Sequence, residues 1–181
     1  KEILENAGCT MGDNGFYERN GEEIGFVISV MSGEQDRIDI AQAAAQQLQE
    51  IGINCTVDIP AQMDWGGQMA CLIGWGSPFD ADDHTYKVFG TGKGANYSGY
   101  SNEKVDEYLT LARQYEDQET RAKYYDLFQE ELAKDPAYAF ICYIDANYVA
   151  DSDIKGISEK TVLGHHGVGI FWNIQEWEIV K

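Results

Sequence analysis

The sequence predicts an α/β fold, an α+β variant included, with a mixed β-sheet flanked by helices. Two observations carry the prediction. Between residues 24 and 59 the apolar period changes from that of a strand to that of a helix and back. Residues 102–135 then hold two successive stretches with apolar residues at helical spacing. The 181 residues suffice for one sizeable domain or two small ones. A domain of that size hides roughly 70% of its unfolded surface, so its core needs neither disulfide nor metal. With 44% apolar residues, 11 Tyr, 7 Phe and 4 Trp, the chain reads as globular rather than disordered.

Each element has its own local reason. "KEILENAGC" is a short helix with Ile3, Leu4 and Ala7 on one side; it opens without an initiator Met or signal peptide, as a piece of a longer chain would. "GFYERNGEEIGFVISV" is a β-hairpin, because Asn20-Gly21 supplies the positive φ angles of a tight turn. "EQDRIDIAQAAAQQLQEIG" is a helix bearing Ile38, Ala41, Ala45, Leu48 and Ile51, stopped by Gly52. "INCTVDI" alternates as a strand, with Ile53, Cys55, Val57 and Ile59 on one face, and Pro60 closes it. The apolar run ending in Trp75 is the next strand, and residues 90–102 are a glycine-rich loop. One helix runs from about Asn102 to Tyr115 on Val105, Leu109 and Ala112. Another starts near Gln118 on Ala122, Tyr125, Phe128 and Leu132 and ends at Asp135-Pro136. "AYAFICYI", "NYVAD" and the tail "GIFWNIQEWEIVK" are expected as strands.

Charge narrows the partners. Thirty-one acids against 13 basic residues give a net charge of −18. Nucleic acid is excluded, since phosphate binding needs clustered Lys and Arg, and an anionic membrane surface would repel the chain. No run approaches the roughly 18 apolar residues of a membrane span. Cys9, Cys55, Cys71 and Cys142 form no CxxC; buried free thiols are expected, with a disulfide the open alternative.

The stretch "CLIGWGSPFDADDHTYKVFG" is the most unusual, because an apolar strand runs straight into Trp, Gly, Ser, Pro and a cluster of acids. A Trp at the carboxyl edge of a sheet offers an aromatic wall beside free backbone groups, where α/β folds place ligand crevices. Asp80 would then suit a ligand amine or an Arg from a facing lobe. The alternatives are a Trp packed in the core and a solvated acidic loop at Asp82 and Asp83. The acids fail the EF-hand template, whose Gly and Glu positions fall on Thr85 and Gly92. His84, His165 and His166 are only weak metal candidates, the last two expected in a turn, and neither metal nor cofactor is expected. GxSxG, P-loop and dinucleotide motifs are absent. A carbohydrate-active hydrolase using two of the many carboxylates is the alternative from another class.

The collinear set "ILENAGC", "RNGEEIGFVISV", "LQEIGINCTV", "LIGWGSPFDADD", "YSGYSNEKVDEYLTLARQYEDQETRAKYYDLFQEELAKDPAYAFICYI" and "DIKGI" resembles the C-terminal lobe of the family 5 extracellular solute-binding proteins, the peptide/nickel class that feeds ABC importers. The resemblance implies one lobe of the type II periplasmic-binding-protein-like fold over residues 1–170, with residues 171–181 starting the strand that crosses back toward a first lobe. It implies no enzyme. A monomeric receptor would close on a small peptide or a metal chelate and deliver it to the permease subunits. It would work in the periplasm or, lipid-anchored, at the extracellular face of the membrane. The site residues it implies are Trp75, Gly76, Ser77, Phe79 and Asp80. In peptide-binding members an Asp three residues after the Trp pairs with the peptide amino group; here Pro78 stands there and Asp80 is the nearest acid. The nickel subgroup's histidine falls on Lys93.

Overall fold

The structure, a computed structural model, describes residues 1–76, 80–145, 147–158 and 165–180, with backbone only for 165–168. The chain divides into two compact units, residues 1–74 and 75–181.

In the first unit, helix α1 (Glu2–Asn6) leads into strands β1 (Thr10–Met11), β2 (Tyr17–Arg19) and β3 (Glu22–Glu23), an antiparallel sheet in the order β1-β2-β3. The β2–β3 turn is built by Asn20 at φ 56° and Gly21 at φ 80°, the two positive angles of a type I′ turn. The expected second arm of the hairpin breaks at Ile24, and its remainder, β4 (Gly25–Ser29), joins a different sheet. β4 pairs in parallel with β5 (Asn54–Asp58), from Gly25 opposite Asn54 to Ser29 opposite Asp58. Two parallel strands need a crossover, and α2 (Gln35–Glu50) supplies it, burying Ile38, Ala41 and Ala45. Val30, Ile38 and Ala41 form the core here, with Ile28, Val57 and Leu72 packed on them. Gly52, at φ 94°, ends α2, and a β-carbon there would meet the Tyr17 ring at 2.9 Å. β6 (Ala70–Cys71) adds to the other side of β4, also in parallel. Among the described residues the antiparallel strands β1–β3 and the parallel strands β4–β6 form separate sheets of the α/β chain.

The second unit is mainly helical. Asp82 and Asp83, for which the sequence leaves a solvated loop as the alternative, lie in helix α3 (Ala81–Phe89). Asp80 is its N-cap, and Asp82 and Asp83 lie in its first turn, where the exposed amides and the helix dipole favour negative charge. α4 (Glu103–Ala112) is capped by Asn102, whose Oδ1 accepts from the amides of Lys104 and Val105. α5 (Gln118–Lys134) is capped by Asp117, which accepts from the Thr120 amide. Val105, Leu109, Phe128 and Leu132 make the core between α4 and α5. Ala122 is exposed, off the expected stripe.

After α5 the expected strands at 137–144 and 147–151 join no ladder among the described residues. The tail is likewise not a strand until its end. His165–Glu176 is a 3₁₀ helix, and only β8 (Glu178–Ile179) is extended, paired antiparallel with β7 (Ile154–Lys155). The helix buries Ile170 and Asn173, three residues apart, which is the repeat of a 3₁₀ turn rather than of a strand. Asn173 tolerates burial because its Nδ2 donates to the Gly156 carbonyl at 2.8 Å and its Oδ1 accepts from Trp177 Nε1 at 3.1 Å. Cys9 and Cys55 are buried thiols, Cys71 is half-buried and Cys142 is exposed; all four are free.

Candidate ligand-binding site

β4, β5 and β6 all end in the same direction, as parallel strands must, and four residues beyond β6 stands Trp75. Within the first unit, that carboxyl edge carries a cavity of about 190 Å³ lined by Ser29, Asp58, Gln62, Met63, Asp64 and Gln68 among others. It is smaller than the roughly 300 Å³ at which drug-sized pockets begin, so it fits a single side chain or a few waters rather than a whole ligand. Sequence reading missed Arg37. Its guanidinium lies against the backbone of Gly74, where an added methyl would come within 2.6 Å of Nη2, and it is tied to Glu34 at 2.9 Å. A positive charge is thereby fixed beside the chain immediately before Trp75.

In the second unit, Trp75 is 38% exposed, so the fully packed alternative does not hold. The ring is nonetheless held. Tyr97 stacks on it at 6.2 Å between centroids and 13° between planes, and the buried His84 approaches at 5.4 Å. Tyr97 sits on the glycine-rich loop, which is firmly built. Asn96 Nδ2 donates to the carbonyls of Gly90 and Tyr100, and its Oδ1 accepts from the Tyr100 amide. The Thr91 amide further ties the loop to Asp106 on α4. A rigid loop and the α3 helix therefore hold the Trp75 ring with one part open to solvent.

Asp80 does two jobs at once. Its Oδ1 accepts from the Asp82 amide at 2.8 Å as the cap of α3. Both its oxygens also accept from Arg121 of α5, at 2.6 and 2.9 Å, in a bidentate pair. Arg121 holds the Asp80 carboxyl below the usual carboxylate range, with help from the Asp82 amide. The Arg expected from a facing lobe is instead supplied by α5 of this same unit. An ionised carboxylate has about four acceptor sites, so one on Oδ2 stays available to a further donor. Gly76 is half-buried, and Ser77 and Phe79 lie outside the described residues. Asp82 pairs with Arg113 at 3.3 Å and Asp83 with Lys87 at 3.2 Å, so both serve α3 rather than a solvated loop. His84 is packed against Trp75 with its Nε2 3.8 Å from Asp83. The His165 and His166 backbone lies in the 3₁₀ helix, not in a turn, and their side chains fall outside the description. Among the described residues, no group of three or more His, Cys, Asp and Glu is arranged to hold a metal ion.

No family profile matches the chain. Individual proteins do. The oligopeptide-binding protein AppA of Bacillus subtilis is 26% identical over 197 aligned positions, covering 100% of this chain and 34% of AppA. The NikZ protein of Campylobacter jejuni, solved in complex with Ni(L-His), is 35% identical with a TM-score of 0.82, over 98% of this chain and 38% of NikZ. The chain is a homologue of the ABC solute-binding proteins of the peptide/nickel class. Its α/β fold is that of a lobe of these periplasmic-binding-protein-like receptors. Protein XP55 of Streptomyces lividans, 33% identical over 87% of the chain, matches over 30% of its own length. The chain spans about a third of the length of these relatives. AppA is named for binding, and NikZ is held with a bound chelate. That kinship places the chain with binding proteins and not with enzymes, and it overturns the hydrolase alternative.

Proposed function

We propose that this chain is the ligand-gripping lobe of the substrate-binding component of an ABC importer, capturing oligopeptides or dipeptides at Trp75, Gly76, Ser77, Phe79 and Asp80. The observation that carries the reading is the half-exposed Trp75 ring, braced by Tyr97 and His84 four residues beyond the half-buried strand β6. A braced aromatic with an open part presents apolar surface without the entropy cost of ordering it on binding. Asp80, kept ionised by Arg121, offers its remaining acceptor site to a peptide ammonium, and the backbone at Gly76 and Ser77 would bond an extended peptide without reading its side chains. A monomeric receptor of this kind works outside the cytoplasm, in the periplasm or lipid-anchored at the cell surface, and hands its cargo to permease subunits.

A second cargo has a specific observation in its favour: NikZ, held with Ni(L-His), is 35% identical to this chain. A chelate arrives with its metal already ligated, so it needs few protein ligands; His84, His165 and His166 are the candidates. Native mass spectrometry of the full-length receptor, purified gently from its host, separates the cargoes. A ladder of short-peptide masses is expected, and one mass with a nickel isotope pattern would overturn the peptide reading. Calorimetry with the co-purified ligand then tests the site. Trp75→Ala should weaken binding by about tenfold or more, as for a buried aromatic anchor, and an unchanged affinity would return Trp75 to a packing role.

A further inference from the structure

The cavity at the carboxyl edge of β4 and β5 is lined by two acids and by no cation. Its volume is about 190 Å³. At roughly 30 Å³ for each water-sized group it has room for about six heavy atoms, the size of a Lys or Arg side chain and far more than a bare metal ion fills. Its acceptors are largely unused. Ser29 is only 9% exposed, and its hydroxyl makes no hydrogen bond among the described residues. The Gln68 Oε1 is fully buried and likewise has no partner. A buried acceptor left without a donor is destabilising, so native chains rarely keep one that nothing satisfies.

The two acids are placed to add charge to these acceptors. Asp64 is held: its Oδ1 accepts from the Gly66 amide at 3.2 Å, and a β-carbon at Gly67 would collide with its Oδ2, so the glycine leaves room for the carboxylate. Among the described residues neither Asp58 nor Asp64 is in an ion pair. An ammonium brings three N–H donors and a guanidinium five, and neither brings an acceptor. The aliphatic stem behind such a head packs on apolar surface, which Pro60 and Met63 supply in the same lining. We propose that this cavity is a subsite for a cationic side chain of the cargo, so that the receptor favours peptides carrying lysine or arginine. The subsite rests on the peptide reading of the function and names the class of peptide.

Calorimetry on the full-length receptor tests it, in about 0.15 M salt to screen the general attraction of an acidic protein for cations. Alanine pentapeptides carrying one lysine are compared with those carrying the uncharged norleucine at the same position. At the best position lysine should bind about tenfold or more tightly, as charge-assisted hydrogen bonds allow. Asp58→Asn, at a carboxylate with no internal bond to lose, should lower that ratio by roughly threefold or more. The double variant Asp58→Asn, Asp64→Asn, which keeps an Oδ1 for the Gly66 amide, should bring it to within about twofold of one. Equal binding of the two peptide sets at every position, or a lysine preference that survives in both variants, would overturn the subsite and leave the peptide reading standing. Failure of every pentapeptide to bind would overturn the peptide reading, and the subsite with it.

Discussion

At the scale of single residues, Asp80 shows how one side chain can serve fold and site together. It caps α3 and grips Arg121. Arg121 depresses its carboxyl below the usual range, so the folded chain keeps Asp80 ionised where an unfolded chain would take up a proton. The resulting stability is fully present above the unfolded value, about 3.9, and is lost as pH falls through the lower folded value. Asp80→Asn keeps an oxygen for the cap and removes the charge from the pair. The variant should therefore be less stable than the parent at pH 7, with the gap closing below about pH 4. Urea midpoints measured across that range check it. A gap that persists at pH 2–3 would show that something other than the ion pair is lost.

Among the described elements, α4 and α5 pack most extensively on each other, and a truncation on each side of that packing tests it. Leu109 is fully buried against Phe128 and Leu132. Leu109→Ala should cost about 2–5 kcal/mol. Leu127, 38% exposed on α5, should cost well under about 1 kcal/mol when truncated. Urea unfolding of both variants gives the comparison, and equal losses would mean that the α4–α5 core is not where this unit's stability lies. These helices were legible because Val105, Leu109, Phe128 and Leu132 keep a helical period and Asn102 and Pro136 mark boundaries. α3 was not legible, since Asp80, Asp82 and Asp83 look like a ligand cluster until they are recognised as a cap and a first turn. The 3₁₀ tail was hidden because "GIFWNIQEWEIVK" also alternates. Trp75 could be found from sequence as the odd residue at a strand's end. Its brace Tyr97, the charge of Arg37 beside Gly74, and the partner Arg121, 41 residues beyond Asp80, depend on contacts that no local pattern encodes.

For the whole molecule the governing fact is the excess of 31 acids over 13 basic residues. Local pairing cannot relieve it. Several cations are already committed to particular acids, such as Arg121 to Asp80, Arg113 to Asp82, Lys87 to Asp83 and Arg37 to Glu34. Even with every basic residue paired, the net charge of −18 remains, and compaction brings these carboxylates closer together than the unfolded chain does. Salt weakens both local attraction and long-range repulsion, but it acts most on charges farther apart than a Debye length, which shrinks from about 30 Å at 0.01 M to about 8 Å at 0.15 M. The bidentate Asp80–Arg121 pair, at 2.6 and 2.9 Å, is well inside either length, whereas the many separated carboxylates are not. Added sodium chloride at pH 7 should therefore raise the urea midpoint between 0.01 and 0.15 M, and sodium sulfate is avoided because it strengthens burial by another route. A midpoint that falls with salt would mean that the short ion pairs outweigh the net charge, and that the acidic surface is a set of local bonds rather than a field.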